Sequence, residues 1–165
     1  MPVSTMPVRI RAARLDDVSL ILTIEQATSA AAHWTADQYK NRIQSQPEEG
    51  HLLVAEYEGR LCGFVCARVV AGEWEIENVV VEEKLQRRGL GADLMRALIG
   101  KWIECSGTAM LLEVRESNLA ARRLYEKHGF REAGRRREYY REPVEDAILY
   151  ALDARNDAGT PAIPK

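Results

Sequence analysis

Gln86-Arg87-Arg88-Gly89-Leu90-Gly91-Ala92 stands between a valine-rich run ending in Val79-Val80-Val81 and a stretch whose Leu90, Leu94, Leu98 and Trp102 recur every fourth residue. The run from Trp74 to Val81 reads as a strand. The repeat predicts an amphipathic helix from Gly89 to Glu104, closed by Gly107. A helix that starts at such a turn presents its first unpaired N–H groups and the positive end of its dipole. That arrangement suits a phosphate, with glycines at 89 and 91 leaving the approach open and Arg87 and Arg88 adding charge. A Walker loop is excluded, because Gly91 is followed by Ala92-Asp93 instead of Lys and Ser or Thr. A dinucleotide fingerprint is excluded too, since its third glycine falls on Leu94. A plain tight turn from strand to helix would use the same residues.

Downstream, Met110 to Val114 reads as a short apolar strand interrupted by one carboxylate, Glu113. A charge there is costly unless solvated or paired. Glu113 is therefore either a surface carboxylate bridged to Arg115, or a group at a cleft where the sheet opens, suited to taking a proton. Ser117-Asn118 caps a helix that runs to about His128 and closes at Gly129. Asn118 and Tyr125 lie two turns apart on one face, about 10 Å from each other. An amide and a phenol beside a phosphate turn could line a long ligand; the alternative is a half-buried tyrosine whose hydroxyl reaches water. Two further strands, near Arg131–Tyr140 and Ala147–Leu152, flank Pro143.

Upstream, Val8-Arg9-Ile10-Arg11 alternates as a strand, and Asp16-Asp17 precede a helix patterned by Val18, Ile21, Leu22 and Glu25. His33-Trp34-Thr35 reads as a loop, with Thr35 capping a second helix from Ala36 to about Ile43. Leu52–Ala55 and Leu61–Val70 form a hairpin turning through Glu58-Gly59-Arg60. The order is β-α-α-β-β-β-α-β-α-β-β, an α/β (α+β) chain with a mixed sheet and helices on both faces.

The chain has 165 residues, 46% hydrophobic and 29% charged, with a net charge of −2. That fits a single domain over 8–153, with flexible termini at 1–7 and 154–165. Without a basic excess, no direct nucleic-acid binding is expected. Between Arg122 and Arg141, however, eight basic residues face three acidic ones, either a solvated face or a docking surface for an acidic partner. Cys62, Cys66 and Cys105 form no C-x-x-C and are read as reduced and buried. His33, His51 and His128 show no metal spacing, and no serine sits in a nucleophile elbow. No apolar run nears the ~20 residues that span a bilayer, and Met1-Pro2-Val3-Ser4-Thr5-Met6-Pro7 is not built as a signal peptide. A cytoplasmic protein without a membrane partner is expected.

Taken together, these segments resemble the GNAT superfamily of acetyl-CoA-dependent N-acetyltransferases. Gln86 to Gly91 matches its pyrophosphate-loop pattern, Q/R-x-x-G-x-G/A, between strand and helix. Leu112 to Asn118, Leu124 to Phe130, Tyr139-Tyr140 and Glu145-Asp146-Ala147 are similar to the branch that acetylates the N-terminal alanine of a ribosomal protein. The resemblance implies a mainly antiparallel sheet of about seven strands, and acetyl-CoA as co-substrate without a metal. It implies that the backbone of Val79, Val80 and Val81 pairs with the pantetheine arm, and that Arg87, Arg88, Gly89, Leu90, Gly91 and Ala92 hold the pyrophosphate. Asn118 would bind the cofactor, Glu113 would be the general base, and Tyr125 the general acid beside the thioester sulfur. Trp34, Tyr139 and Tyr140 would wall the acceptor. A GNAT enzyme for a small amine, such as a polyamine, an aminoglycoside or an amino acid, is the alternative. An α-amine, with a pKa of about 8 against roughly 10.4 for lysine, is the easier of the two to deprotonate by roughly 3 kcal/mol.

Overall fold

The computed structural model describes residues 7–28 and 31–154. The termini expected to be flexible therefore fall almost wholly outside the described residues. Seven strands form one sheet: β1 (Arg9–Ala12), β2 (Gly50–Tyr57), β3 (Arg60–Val70), β4 (Glu73–Val81), β5 (Ala109–Arg115), β6 (Arg131–Arg141) and β7 (Val144–Asp153), in the spatial order β1-β2-β3-β4-β5-β7-β6. Every neighbouring pair is antiparallel except β4 and β5. Four helices cover it: α1 (Val18–Gln26), α2 (Ala36–Gln44), α3 (Leu90–Glu104) and α4 (Leu119–Lys127).

Both faces of the central strands are buried, which is why β2 and β3 read as apolar runs instead of alternating. Leu53, Ala55, Val65 and Ala67 point to one core, shared with Leu90, Leu94, Leu98 and Trp102 of α3 and with Tyr125 of α4. Leu52, Val54, Phe64 and Cys66 point to the other, under Val18, Ile21 and Ile24 of α1 and Tyr39 of α2. The four-residue repeat of α3 is thus the face that the sheet covers.

Some local readings change. Asp17 does not simply meet a helix dipole. It is buried in a short 3-10 turn, Leu15–Asp17, and accepts from Arg11 Nη1 (2.7 Å), Arg11 Nη2 (2.9 Å) and the Arg14 amide (2.7 Å), clamping β1 to the start of α1. The left-handed residue that closes α3 is Ser106 (φ 55°). Gly107 is a glycine for a different reason: a Cβ there would lie 2.0 Å from Cδ1 of Trp102. Cys62 and Cys66 are buried as expected, but Cys105 is exposed, because it follows the last turn of α3.

The sheet parts in the middle. Parallel pairing of β4 with β5 runs from Glu73–Ala109 to Ile76–Leu112 and goes no further. The cause lies on the other side of β4, where Asn78 opposes Cys66 and Ile76 opposes Ala67, leaving Glu77 as an extra residue in a bulge. A bulge bends and twists its strand. Glu77 is held there by Arg42 of α2, at 2.9 Å. Beyond it, Val79, Val80 and Val81 keep only their β3 partners, while Glu113, Val114 and Arg115 keep only their β7 partners.

Candidate active site

The bend gives β4 a free edge. Backbone groups of Val79 to Val81 that would have met β5 face the gap, ready for a chain that runs alongside like another strand. The Gln86 side chain donates from Nε2 to the Val81 carbonyl at 3.1 Å and draws the turn back beneath that edge. Arg87 (φ 63°) and Gly89 (φ 86°) are both left-handed, a conformation that costs glycine least. Gly89 caps α3 and accepts from the Asp93 amide at 3.0 Å, so the first N–H groups of the helix stay available. Arg87, Arg88 and Gly89 are exposed, Ala92 is half-buried, and Leu90 is buried and anchors the turn in the core. Gly91 lets α3 approach α4, since a Cβ there would lie 3.3 Å from Leu124 Cδ2. The two glycines therefore have separate tasks, an open approach at 89 and close packing at 91. Free edge, uncovered N–H groups and exposed guanidiniums fit an elongated ligand carrying a pyrophosphate.

Across the gap, Glu113 is the first β5 residue past the last parallel pair. Met110, Leu112 and Val114 point into the α3–α4 core, so alternation turns Glu113 to the opposite face. Its partner is not Arg115. Arg136 of β6 forms an ion pair with Glu113, Nε to Oε1 2.9 Å, while Arg115 pairs with Glu145 at 3.3 Å and lies over the Tyr140 ring, 4.1 Å from its centroid. Arg115 was the nearer cation in sequence; Glu145, which also accepts from the Ser117 amide, claims it. The Tyr140 phenol is half-buried, and burial, with the Glu113 charge next in weight, pushes its pKa up.

Tyr125 rises from α4 on the α3–α4 face, 7% exposed, against Phe130 and Tyr150 at ring separations of 5.9 and 6.2 Å. It is more deeply buried than a tyrosine half in water. Burial, with Tyr140 adding, pushes its phenol well above the ordinary value. Asn118 is the cap of α4: its side-chain oxygen accepts from the Ala121 amide at 3.3 Å, which commits the oxygen and leaves the amide nitrogen to a ligand.

Of the residues expected to wall an acceptor, Trp34 packs on Tyr39 at 5.2 Å, while Tyr139 and Tyr140 meet edge-on at 5.2 Å. Among the described residues no ring contact joins the two groups. Beneath Trp34 lies a buried network that the sequence reading did not identify. Glu25, 1% exposed, accepts from the Trp34 amide at 3.0 Å and from the Tyr39 hydroxyl, and Asn78 donates to that same hydroxyl at 3.1 Å. This ties the Trp34 loop to β4 one residue before Val79. The signal for it was the spacing of Val18, Ile21 and Glu25, which places the carboxylate on the apolar face of α1. Arg136 was missed for want of any local signal.

A helix-backed sheet parted between two parallel strands, with a glycine turn and exposed arginines at one lip, is the architecture of a class of acyl-group transferases. The pattern of the acetyltransferase (GNAT) family matches residues 20–130, from α1 to just before β6, and the chain belongs to that family and is an N-acetyltransferase. It is similar to the N-alpha-acetyltransferase RimI of Mycobacterium tuberculosis, 31% identical over 167 residues that cover 98% of this chain and 100% of that one. It is also similar to the [ribosomal protein bS18]-alanine N-acetyltransferase of Salmonella typhimurium, 37% identical over 142 residues, covering 79% and 95%. The crystal structure of the ribosomal-protein-S18-alanine N-acetyltransferase from Escherichia coli superposes with a TM-score of 0.78 at 32% identity, covering 89% of this chain and 94% of that one. A Salmonella typhimurium protein, yncA, solved with its cofactor acetyl-CoA, shares the fold with a TM-score of 0.77 at 23% identity, covering 89% and 94%. No helix among the described residues is long and apolar enough to cross a membrane.

Proposed function

We propose that the protein acetylates the α-amino group of the N-terminal alanine of a ribosomal protein, in the cytoplasm, with acetyl-CoA as donor. The observation that supports the reading is the parted sheet: Glu113 stands just past the last β4–β5 pair on one face, and Tyr125 lies on the α3–α4 face. The names of the relatives supply the acceptor class. Acetyl-CoA supplies an acetyl thioester, its arm along the free edge of Val79–Val81 and its pyrophosphate at the Arg87–Ala92 turn, with the Asn118 amide as a further donor.

Glu113 takes a proton from the acceptor nitrogen, directly or through a water, so that the lone pair can attack. Tyr125 directs its O–H at the departing sulfur. A phenol near 10 is already a weaker acid than a thiol near 8.5, so full transfer is uphill by about 2 kcal/mol, and burial widens that gap. Its contribution is a hydrogen bond to developing charge. At pH 7.4 about a fifth of an α-amine is neutral against about a thousandth of a lysine, so a single carboxylate suits the former.

The test is mass spectrometry on a peptide that carries a free N-terminal alanine and an internal lysine, with an N-terminally blocked copy as control. Acetylation is expected on the α-amine and not on the lysine. Label on lysine, or reaction of a free polyamine alone, transfers the assignment to the small-amine class.

A further inference from the structure

We propose that Arg136 is the positioning residue of the base: its ion pair draws Oε1 of Glu113 to one side and leaves Oε2 for the acceptor's proton. The inference rests on Glu113 being that base. At the lip of the gap, β5 has lost β4 as a neighbour, so on that side no adjoining strand confines the Glu113 side chain. A glutamate left to itself there samples several rotamers, and only some aim a lone pair into the opening. The ion pair with Arg136, Nε to Oε1 2.9 Å, favours the rotamers that keep Oε1 beside the guanidinium. The cation lies against Oε1, and neither carboxylate oxygen accepts a hydrogen bond among the described residues, so the lone pairs of Oε2 stay open.

The arginine is itself aimed. On β6, Arg136 pairs with Ala147 and the next pair is Tyr140 with Glu145, so three β6 residues stand opposite Asp146 alone. Glu138, in the middle of that bulge, is left-handed (φ 49°), and its amide donates to Asp146 Oδ1 at 2.9 Å. Asp146 Oδ2 takes Arg135 at 2.9 Å. One carboxylate therefore fixes the bulge on both sides of Arg136. The guanidinium lies over the Tyr139 ring, 5.6 Å from its centroid, and reaches across β7 to Glu113. Arg115, the other cation on that face, is held by Glu145 and cannot substitute. A base oriented by a third group is the general logic of activated catalytic pairs.

Arg136 is 56% exposed and Glu113 23%, so the pair contributes little to stability, and geometry is what its loss should disturb. With an N-terminal alanine peptide as acceptor, Arg136→Ala should lower kcat about tenfold. The melting temperature and the acetyl-CoA dissociation constant should be unchanged. Arg136→Lys should recover most of the rate, because an ammonium can still hold Oε1. Glu113→Gln alone should lose about 10²–10³-fold in kcat, and adding Arg136→Ala to it should cost less than a further twofold. If Glu113→Gln is slow but Arg136→Ala is silent, or if their effects multiply, the positioning role is wrong and the base assignment stands. If Glu113→Gln runs at the wild-type rate, the base assignment falls and Arg136 falls with it.

Discussion

At Tyr125 the surroundings of one phenol decide what it can contribute. Packed among Phe130, Tyr150 and the α3–α4 core, it holds its proton well beyond the ordinary pH range of a tyrosine. It therefore stays a donor at any pH the protein survives, and alkaline solution should not silence it below pH 10. Tyr125→Phe keeps the ring and removes one bond to developing negative charge, worth about 1.5–3 kcal/mol, or roughly 10- to 100-fold in kcat. Steady-state rates from pH 7 to 10 check this; no loss would leave the tyrosine as packing, and a loss as large as that of Glu113→Gln would make it a true proton donor. At this scale much was legible in the sequence. Glu113 betrays itself as a charge inside an apolar strand, and Gly89 as a glycine at a helix start. Arg136 does not, because its meaning comes from a reach across β7 set by a bulge that the chain does not advertise.

At the start of the fourth helix, the proposed function gives one side chain two duties, one to an element and one to a ligand. Asn118 gives its oxygen to the α4 cap and has its amide nitrogen to spare. Two substitutions separate these duties. Asn118→Asp keeps an acceptor for the Ala121 amide and suits the helix dipole, so melting should barely move while acetyl-CoA affinity falls. Asn118→Ala loses both, with a further cost of about 1 kcal/mol in stability. Thermal melts paired with calorimetric titration of acetyl-CoA distinguish them; equal affinity in Asn118→Asp and wild type would confine Asn118 to capping. Helices and paired strands were readable because their periods are local. The end of α3 was less so: Gly107 looks like a stop, yet the chain turns at Ser106 and needs the glycine to clear Trp102.

For the molecule as a whole, the two cores lie on opposite faces of the sheet, and the edge near the N-terminus is secured by charge. Arg11 holds Asp17 and Glu56 together, joining β1, β2 and the approach to α1. The hydrogen bond from Arg11 lowers the Asp17 pKa below its ordinary 3.8, so the pair stabilises the fold at any pH above that value and releases it as acid titrates the folded carboxylate. Asp17→Asn should therefore melt lower at pH 7, by about 4–8 °C for roughly 2 kcal/mol. The gap between the two curves should shrink steadily as pH falls below 3.8; a gap that did not shrink at all would make the loss one of shape. What the sequence could not convey at this scale was the split itself. It depends on Glu77, an ordinary member of an alternating strand by its letters, being an extra residue against β3.

That one surplus residue also bears on traffic. Past Ile76 and Leu112 the two strands part, with Glu113 turned to one face of β5 and Tyr125 packed on the other. If this gap is the proposed active site, donor and acceptor can enter it from opposite faces, and neither blocks the other's way out. Nothing would then need to be parked on the protein between one visitor and the next, so an inhibitor at one face should leave the other open to be occupied.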